Sequence, residues 1–274
     1  MTINEIRRRL QELEITPKKS LGQNFLVGDR VVKAIIGRTQ SLKPQGIIEV
    51  GPGLGALTDE LREMGVPLLL IELDHQLARH WREQKLNVME HDALRVDWND
   101  ITACRGTIVV SNLPYQISSS LLVDRSVAPG GVTGMVLMFQ KEVARRIRAA
   151  HAHSDYGLLS VIAQSYWDID LVVEAAPAEF FPVPKIASRV LEFRAKTGPQ
   201  PAKMFLKFVK TAFSQRRKHL ASNLTAWKSN RKKAQITEIF EQLAFSPTVR
   251  AEQLTVAQFH LLFDRLESTL PEGV

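Results

Sequence analysis

Gly46-Ile47-Ile48-Glu49-Val50-Gly51-Pro52-Gly53-Leu54-Gly55 is the stretch that decides the fold of this 274-residue chain. Residues 46–50 form an apolar run of strand length. The run passes directly into a loop with glycine at 51, 53 and 55, and the pattern that follows predicts a helix over 54–64, stopped at Gly65. Strand, glycine turn and helix make the first half of a βαβ unit, in which glycines allow a tight turn and let a ligand approach the backbone. Gly51, Gly53 and Ala56 also satisfy the dinucleotide pattern, and Glu72 lies near the distance expected of a ribose-binding carboxylate. At this point a nicotinamide dinucleotide site, an S-adenosylmethionine site and a plain helix-packing turn are all open. The Gly-Lys-Ser/Thr ending of a P-loop is missing from the chain, which disfavours a P-loop nucleotide hydrolase.

Outward from this loop, strand-like runs at 66–73, 86–91, 107–111 and 132–139 alternate with helical runs at 75–84, 117–124 and 141–150. Such alternation predicts an α/β fold, a parallel sheet with helices on both faces. A helix near 156–166 and strands at 171–175 and 189–194 follow. Gly198, Pro199 and Pro201 mark a boundary, so the reading divides the chain into residues 1–200 and a small all-helical domain, 201–274. Before the sheet, residues 4–14 read as a short amphipathic helix with Ile6, Leu10 and Leu13 on one side.

Composition excludes whole classes of function. With 45% apolar and 24% charged residues the chain is an ordinary globular one. It contains no apolar run near the ~18 residues of a membrane helix. Glu5, Arg7, Arg8, Arg9, Glu12 and Glu14 stand where a secretory leader would be apolar, and the acidic ones also argue against an import presequence. The single Cys104 leaves no intramolecular disulfide and no cysteine-built metal site, so no metal is expected and the cytoplasm is the expected compartment. The net charge of +7 is uneven: residues 201–274 carry 12 basic and 6 acidic side chains, against 24 and 23 in residues 1–200. Between Lys203 and Lys233 there are ten basic residues and no acidic one. Such a block is a candidate phosphate-binding surface or a solvated helix face. Phe205, Phe208 and Val209 recur at helical spacing inside it and read as core.

Three polar residues fall at successive strand ends: Glu72, Asp92 and Asn112. Ligands of open parallel sheets bind outside the carboxyl ends of the strands. Glu72 can accept from a ribose hydroxyl pair and Asp92 from an adenine amino group. Asn112-Leu113-Pro114-Tyr115 then decides the chemistry. Hydride transfer has no use for this group, whereas methyl transfer to an exocyclic amine does. The lone pair of that amine is conjugated into the ring; the Asn112 side-chain oxygen and a backbone carbonyl near Leu113–Pro114 can accept its two N–H bonds and make the nitrogen more tetrahedral. Pro114 holds Leu113 extended, and Tyr115 offers a flat face for a base.

Five segments together resemble the ribosomal RNA adenine dimethyltransferase family, most closely its bacterial small-subunit branch linked to kasugamycin sensitivity. They are Lys18-Lys19-Ser20-Leu21-Gly22-Gln23-Asn24-Phe25-Leu26, the loop 49–55, Asn112–Tyr115, Phe181-Pro182-Val183-Pro184-Lys185 and Ala212-Phe213-Ser214-Gln215-Arg216-Arg217-Lys218. The resemblance implies a class I, Rossmann-like methyltransferase fold with S-adenosylmethionine as donor. It implies N6,N6-dimethylation of two adjacent adenosines near the 3′ end of 16S ribosomal RNA, and a role in small-subunit biogenesis. It implies further that Asn24, Leu26, Gly51, Gly53, Glu72, Asp92 and Asn112 bind the cofactor. Asn112, Leu113, Pro114 and Tyr115 would be catalytic, with Phe181 beside the target base opposite Tyr115. Arg216, Arg217 and Lys218 would bind RNA. Ala187 departs from the acidic residue frequent at that place. The expected partner is the small ribosomal subunit, met by a monomer with no membrane attachment. A large-subunit adenine methyltransferase of the macrolide-resistance type and a non-catalytic assembly factor are the competing readings, with a nicotinamide oxidoreductase further off.

Overall fold

The computed structural model describes residues 1–17, 22–101, 106–198, 202–227 and 233–268; Lys18–Leu21, Cys104, Pro199, Pro201 and part of the basic block lie outside them. The described residues pack into two compact units. The first comprises Met1–Arg125, Pro129–Ala144 and Trp167–Ala195, the second Ser126–Ala128, Arg145–Tyr166 and the chain from Lys196 onward.

In chain order the first unit begins with α1 (Ile3–Glu12), β1 (Phe25–Leu26), α2 (Arg30–Ser41), β2 (Gly46–Val50), α3 (Thr58–Leu61) and β3 (Leu68–Glu72). Then come α4 (His75–Glu83), β4 (Asn87–Glu90), α5 (Trp98–Ile101), β5 (Thr107–Ser111), α6 (Tyr115–Val127), β6 (Val132–Gln140) and α7 (Lys141–Arg148), with α6 from Ser126 and α7 from Arg145 belonging to the second unit. Local chemistry sets several of these starts. The Thr2 hydroxyl and Glu5 carboxylate close a capping box on α1. Asp74 caps α4 by accepting from the amides of Gln76 and Leu77. Every residue of β2 and β5 is buried, as parallel strands covered on both faces must be.

After α8 (Leu158–Tyr166), the strands β7 (Trp167–Ala175), β8 (Phe180–Phe181) and β9 (Ser188–Ala195) complete the sheets. The seven-stranded sheet runs β4-β3-β2-β5-β6-β9-β7. From β4 to β6 the pairing is parallel as expected; β9 lies antiparallel to both β6 and β7. β3 and β5 flank β2 on opposite sides, so the strand order reverses there and leaves a crevice at the carboxyl ends of β2 and β5. A second, two-stranded sheet pairs Phe25 with Phe181 and Leu26 with Phe180. The apolar run patterns do not reveal this pairing.

The predicted helix over 54–64 starts late. Residues 54–57 stay in the loop, α3 covers only Thr58–Leu61, and a 3-10 turn carries the chain to Gly65 in the left-handed region. Gly55 is the cause. Its φ is +92°, and a Cβ there would lie 2.5 Å from the ring of the buried Trp81. Trp81 in turn donates its indole N–H to the Gly53 carbonyl at 3.0 Å. At the helix start, the Thr58 hydroxyl donates to Glu49 Oε2 at 2.7 Å.

The second unit is helical: α8 with α9 (Lys203–Ala212), α10 (Leu220–Leu224), α11 (Lys233–Gln242) and α12 (Val256–Ser268). Phe205, Phe208 and Val209 are buried, as their spacing predicts. The unit also takes in residues 145–166, which the sequence reading placed in the first domain. The reason is packing: Ser165 bonds His260 at 2.9 Å, and the Tyr166 ring meets that of Phe205 edge-on.

Two predictions follow from the loop. Gly55→Ala combines overpacking against Trp81 with backbone strain and lowers unfolding free energy by about 2–4 kcal/mol in urea titrations. Trp81→Phe, which lacks the obstructing atoms, reduces that penalty in a double-mutant cycle; additive losses would contradict the clash. The second concerns Glu49. Burial pushes its carboxyl from the ordinary 4.5 up to about 8, with the Thr58 hydroxyl opposing and the Glu72 charge adding. The folded chain therefore holds a proton that the unfolded chain releases near 4.5. This contribution to stability is complete below 4.5 and is lost as pH rises through about 8. Glu49→Gln removes that component, so the stability difference between variant and parent shifts in the variant's favour from pH 5 to pH 8.5.

Candidate functional site

The crevice at the sheet's carboxyl edge is a cleft of about 1080 Å³, its open mouth included, formed entirely within the first unit. Asn24, Leu26, Gly51, Gly53, Glu72, Asp92 and Asn112 all line it, and so does Pro114. Leu113, Tyr115 and Phe181 stand outside the lining. Leu113 is buried behind it, and Tyr115 begins α6 with its hydroxyl 2.8 Å from Ser188 Oγ. Phe181 pairs with Phe25, itself a lining residue.

One wall is the glycine loop. Gly51 (φ +68°) bonds the Ile71 carbonyl at 2.9 Å, which ties the loop to the end of β3. A Cβ at Gly51 would come within 3.8 Å of Pro114 Cδ, and one at Gly53 within 3.2 Å of the Phe25 ring. The loop therefore meets the 112–115 segment at van der Waals distance on one side and β1 on the other.

The acceptors sit along the second wall. Glu72 is buried. Its Oε1 accepts from the amides of Leu73 and Asp74 at 2.8 Å each, and its Oε2 takes only a long 3.4 Å bond from Gly53. Burial pushes its pKa up, and the amides of Asp74, Gly53 and Leu73 pull it down. Oε2 keeps acceptor capacity toward the cleft. Asp92 Oδ1 accepts from the Leu94 amide at 2.9 Å, with Arg95 3.6 Å from Oδ2. Leu73, 55% exposed, adds an apolar side chain to the lining that holds the two carboxylates. Carboxylate, apolar side chain and carboxylate suit the hydroxyls, flat face and exocyclic amine of a nucleoside. Leu73 and Ala93, which also lines the cleft, were missed in the sequence; each directly follows a carboxylate that was found.

Asn112 closes the floor. Its Nδ2 donates to the Asn24 backbone carbonyl at 2.8 Å. With the nitrogen so engaged, Oδ1 is the atom left to accept from a ligand. The Pro114 carbonyl receives the Ile117 amide as α6 starts, which leaves the Leu113 carbonyl as the second acceptor of this segment. Burial raises the Tyr115 phenol pKa, so the ring is neutral. Of the histidines, His91 lines the cleft with Nδ1 3.1 Å from the Asp92 carbonyl, while His75 pairs with Glu90 and His80 meets Gln84. No cluster of metal ligands occurs among the described residues.

Arg216, Arg217 and Lys218 are in the second unit. Arg216 is committed internally: its guanidinium bonds Glu252 at 2.7 Å and the carbonyls of Ser154 and Tyr156. Arg216, Arg217 and Lys218 are all exposed, and of the three only Arg216 makes these bonds.

Residues 15–268 match the family model described as ribosomal RNA adenine dimethylase. A ribosomal RNA small subunit methyltransferase A from Bdellovibrio bacteriovorus is 49% identical over 261 residues, covering 94% of this chain and 95% of the relative. One of the same name from Wolbachia pipientis is 37% identical, covering 94% and 99%. Among solved structures, a dimethyladenosine transferase from Plasmodium falciparum superposes with TM-score 0.74 at 20% identity, over 89% of this chain and 98% of that one. The 23S rRNA methyltransferase ErmE does so with TM-score 0.63 at 21%, over 89% and 99%. These two likenesses establish the fold, a Rossmann-like α/β unit followed by a smaller helical one. With nine-tenths of its length matched by one family model, the chain belongs to the ribosomal RNA adenine dimethylase family.

Proposed function

We propose that the chain dimethylates N6 of two adjacent adenosines near the 3′ end of 16S ribosomal RNA, using S-adenosylmethionine, and so takes part in small-subunit biogenesis. The observation that carries the chemistry is the Asn112–Asn24 bond, which presents a carbonyl-type oxygen to an incoming amine. The small-subunit target is supported by relatives that share up to 49% identity over nearly the whole chain. The likeness to a 23S enzyme is one of fold alone. The chain acts as a cytoplasmic monomer in this reading; no described helix is long and apolar enough to cross a membrane.

S-adenosylmethionine supplies an electrophilic methyl group. Glu72 accepts from its ribose hydroxyls and Asp92 from its adenine amine, while Asn24, Leu26, Gly51 and Gly53 line the remainder of the cleft. Asn112 Oδ1 and the Leu113 carbonyl take the two N–H bonds of the target amine, which fixes the nitrogen and turns its lone pair out of conjugation. Tyr115, anchored by Ser188, and Phe181, held on β8, are the aromatic faces for the extruded base. No side chain needs to act as general base, because the alkylated nitrogen is acidic and sheds its proton to water. For the second transfer one N–H remains, so the monomethylated amine turns about its C6–N6 bond before it reacts. Arg217 and Lys218 neutralise phosphates elsewhere on the RNA.

Asn112→Ala lowers methyl incorporation into unmodified small subunits by about 100-fold or more. Asn112→Asp does the same, since a carboxylate repels the Asn24 carbonyl instead of donating to it; near-parental turnover in either would refute the acceptor role. Replacing Arg217 and Lys218 together with alanine flattens the log–log salt dependence of RNA binding by roughly one to two. Arg216→Met instead costs about 1–2 kcal/mol of stability through its lost internal bonds. A salt slope that responds to Arg216 and ignores the other two would reverse this assignment.

A further inference from the structure

Helix α1 carries two arginines with different contacts, one at the glycine loop and one at Phe181. Its apolar side, Ile6 and Leu10, packs with Phe25, Leu54, Leu77 and Phe181 in one cluster. From this seat Arg9 Nη1 donates to the Leu54 carbonyl at 2.5 Å, and the guanidinium also bonds Asp59 Oδ2 at 3.2–3.3 Å. The missing side chain of Gly55 makes room for it: a Cβ there would lie 3.4 Å from Arg9 Nη1. The glycine loop is thus held from behind by two side-chain donors, Trp81 on the Gly53 carbonyl and Arg9 on the next one. Arg9 is charged, so its bond to a neutral carbonyl is of the stronger kind.

Arg7, two residues earlier on the helix, points elsewhere. Its guanidinium carbon lies 5.5 Å from the centroid of the Phe181 ring. Arg7 is exposed, and no carboxylate pairs with it among the described residues. A cation over one face of Phe181 restrains that ring and carries positive charge beside it.

We propose that α1 is a positioning element with divided tasks: Arg9 sets the glycine loop for the cofactor, and Arg7 sets Phe181 for the nucleotide and attracts a neighbouring RNA phosphate. The inference rests on the cofactor and base assignments above. Neither arginine touches the reacting atoms. A helix that merely supported the fold would affect cofactor and RNA binding together, whereas divided tasks separate them.

The test is a crossed pair of variants in the full chain. Arg9→Met weakens binding of S-adenosylhomocysteine, measured by calorimetry, by about tenfold and leaves affinity for unmodified small subunits within twofold. Arg9→Lys recovers part of the loss. Asp59→Asn, which removes the ion pair and spares the Leu54 bond, stays within twofold of the parent. Arg7→Met does the reverse of Arg9→Met: KM for small subunits rises roughly fivefold and S-adenosylhomocysteine affinity is unchanged. Amide exchange at Gly55, whose N–H bonds the Pro52 carbonyl, accelerates in Arg9→Met without any ligand present. Parallel losses of cofactor and RNA binding, an Asp59→Asn loss equal to that of Arg9→Met, or unchanged exchange at Gly55 would overturn the proposal. A parent chain that bound no S-adenosylhomocysteine would instead contradict the cofactor assignment, and the exchange measurement would still decide this one.

Discussion

The 2.8 Å bond from Asn112 Nδ2 to the Asn24 carbonyl is the contact on which the site depends. An amide side chain has a donor end and an acceptor end of nearly the same shape, and only its fixed partner decides which end a ligand meets. An adenine amine brings two N–H donors and a lone pair withdrawn into the ring. It needs acceptors, held still. The donor end of Asn112 is consumed by Asn24, so the acceptor end is left for a ligand, which in the proposed reading is the amine. Two supports make this possible: β5 delivers residue 112 to the crevice, and the small β1–β8 sheet holds residue 24 against it. Because β8 also carries Phe181, that two-stranded ribbon connects the cleft wall at Phe25 and Leu26 to the aromatic ring that the proposed reading sets beside the base.

The carboxylates show how burial and hydrogen bonding sort similar groups into different tasks. Glu49 and Glu72 both end buried beside the glycine loop. Glu49 receives one hydroxyl and is pushed up to about 8, so it serves as a neutral anchor for the start of α3. Glu72 is also pushed up by burial, and the amides of Asp74, Gly53 and Leu73 offset only part of that rise. A carboxylate held by amides on one oxygen, with the other turned to the cleft, is suited to accept from sugar hydroxyls. In the proposed reading the chemistry of the site is built from acceptors and backbone geometry.

Local signals made much of this readable in advance. The strand 46–50, the glycine loop and the strands that end near Glu72, Asp92 and Asn112 are each written in a few consecutive residues, and the seven cofactor candidates converge on one cleft. What the sequence hid is set by residues far apart along the chain. The helix after the loop begins at Thr58 because Gly55 lies against Trp81. Apolar runs do not encode strand direction, so β9, antiparallel to both its neighbours β6 and β7, looked like the rest. Strands of two residues, as in β1 and β8, leave no periodicity to detect. Helix α8 joins the second unit because its buried side matches Phe205 and His260. Arg216 reads as part of a basic block, but its acceptors lie at residues 154, 156 and 252. Arg7 and Arg9 likewise look like surface charges until α1 is seen packed on the loop.

The most direct test of the account is to incubate the chain and S-adenosylmethionine with small and large ribosomal subunits from cells lacking the modification, and to map the RNA by mass spectrometry. The account predicts two adjacent N6,N6-dimethyladenosines near the 3′ end of the small-subunit RNA and none in the large. Methyl groups in large-subunit RNA, or on a ring nitrogen or ribose instead of the exocyclic amine, would contradict it.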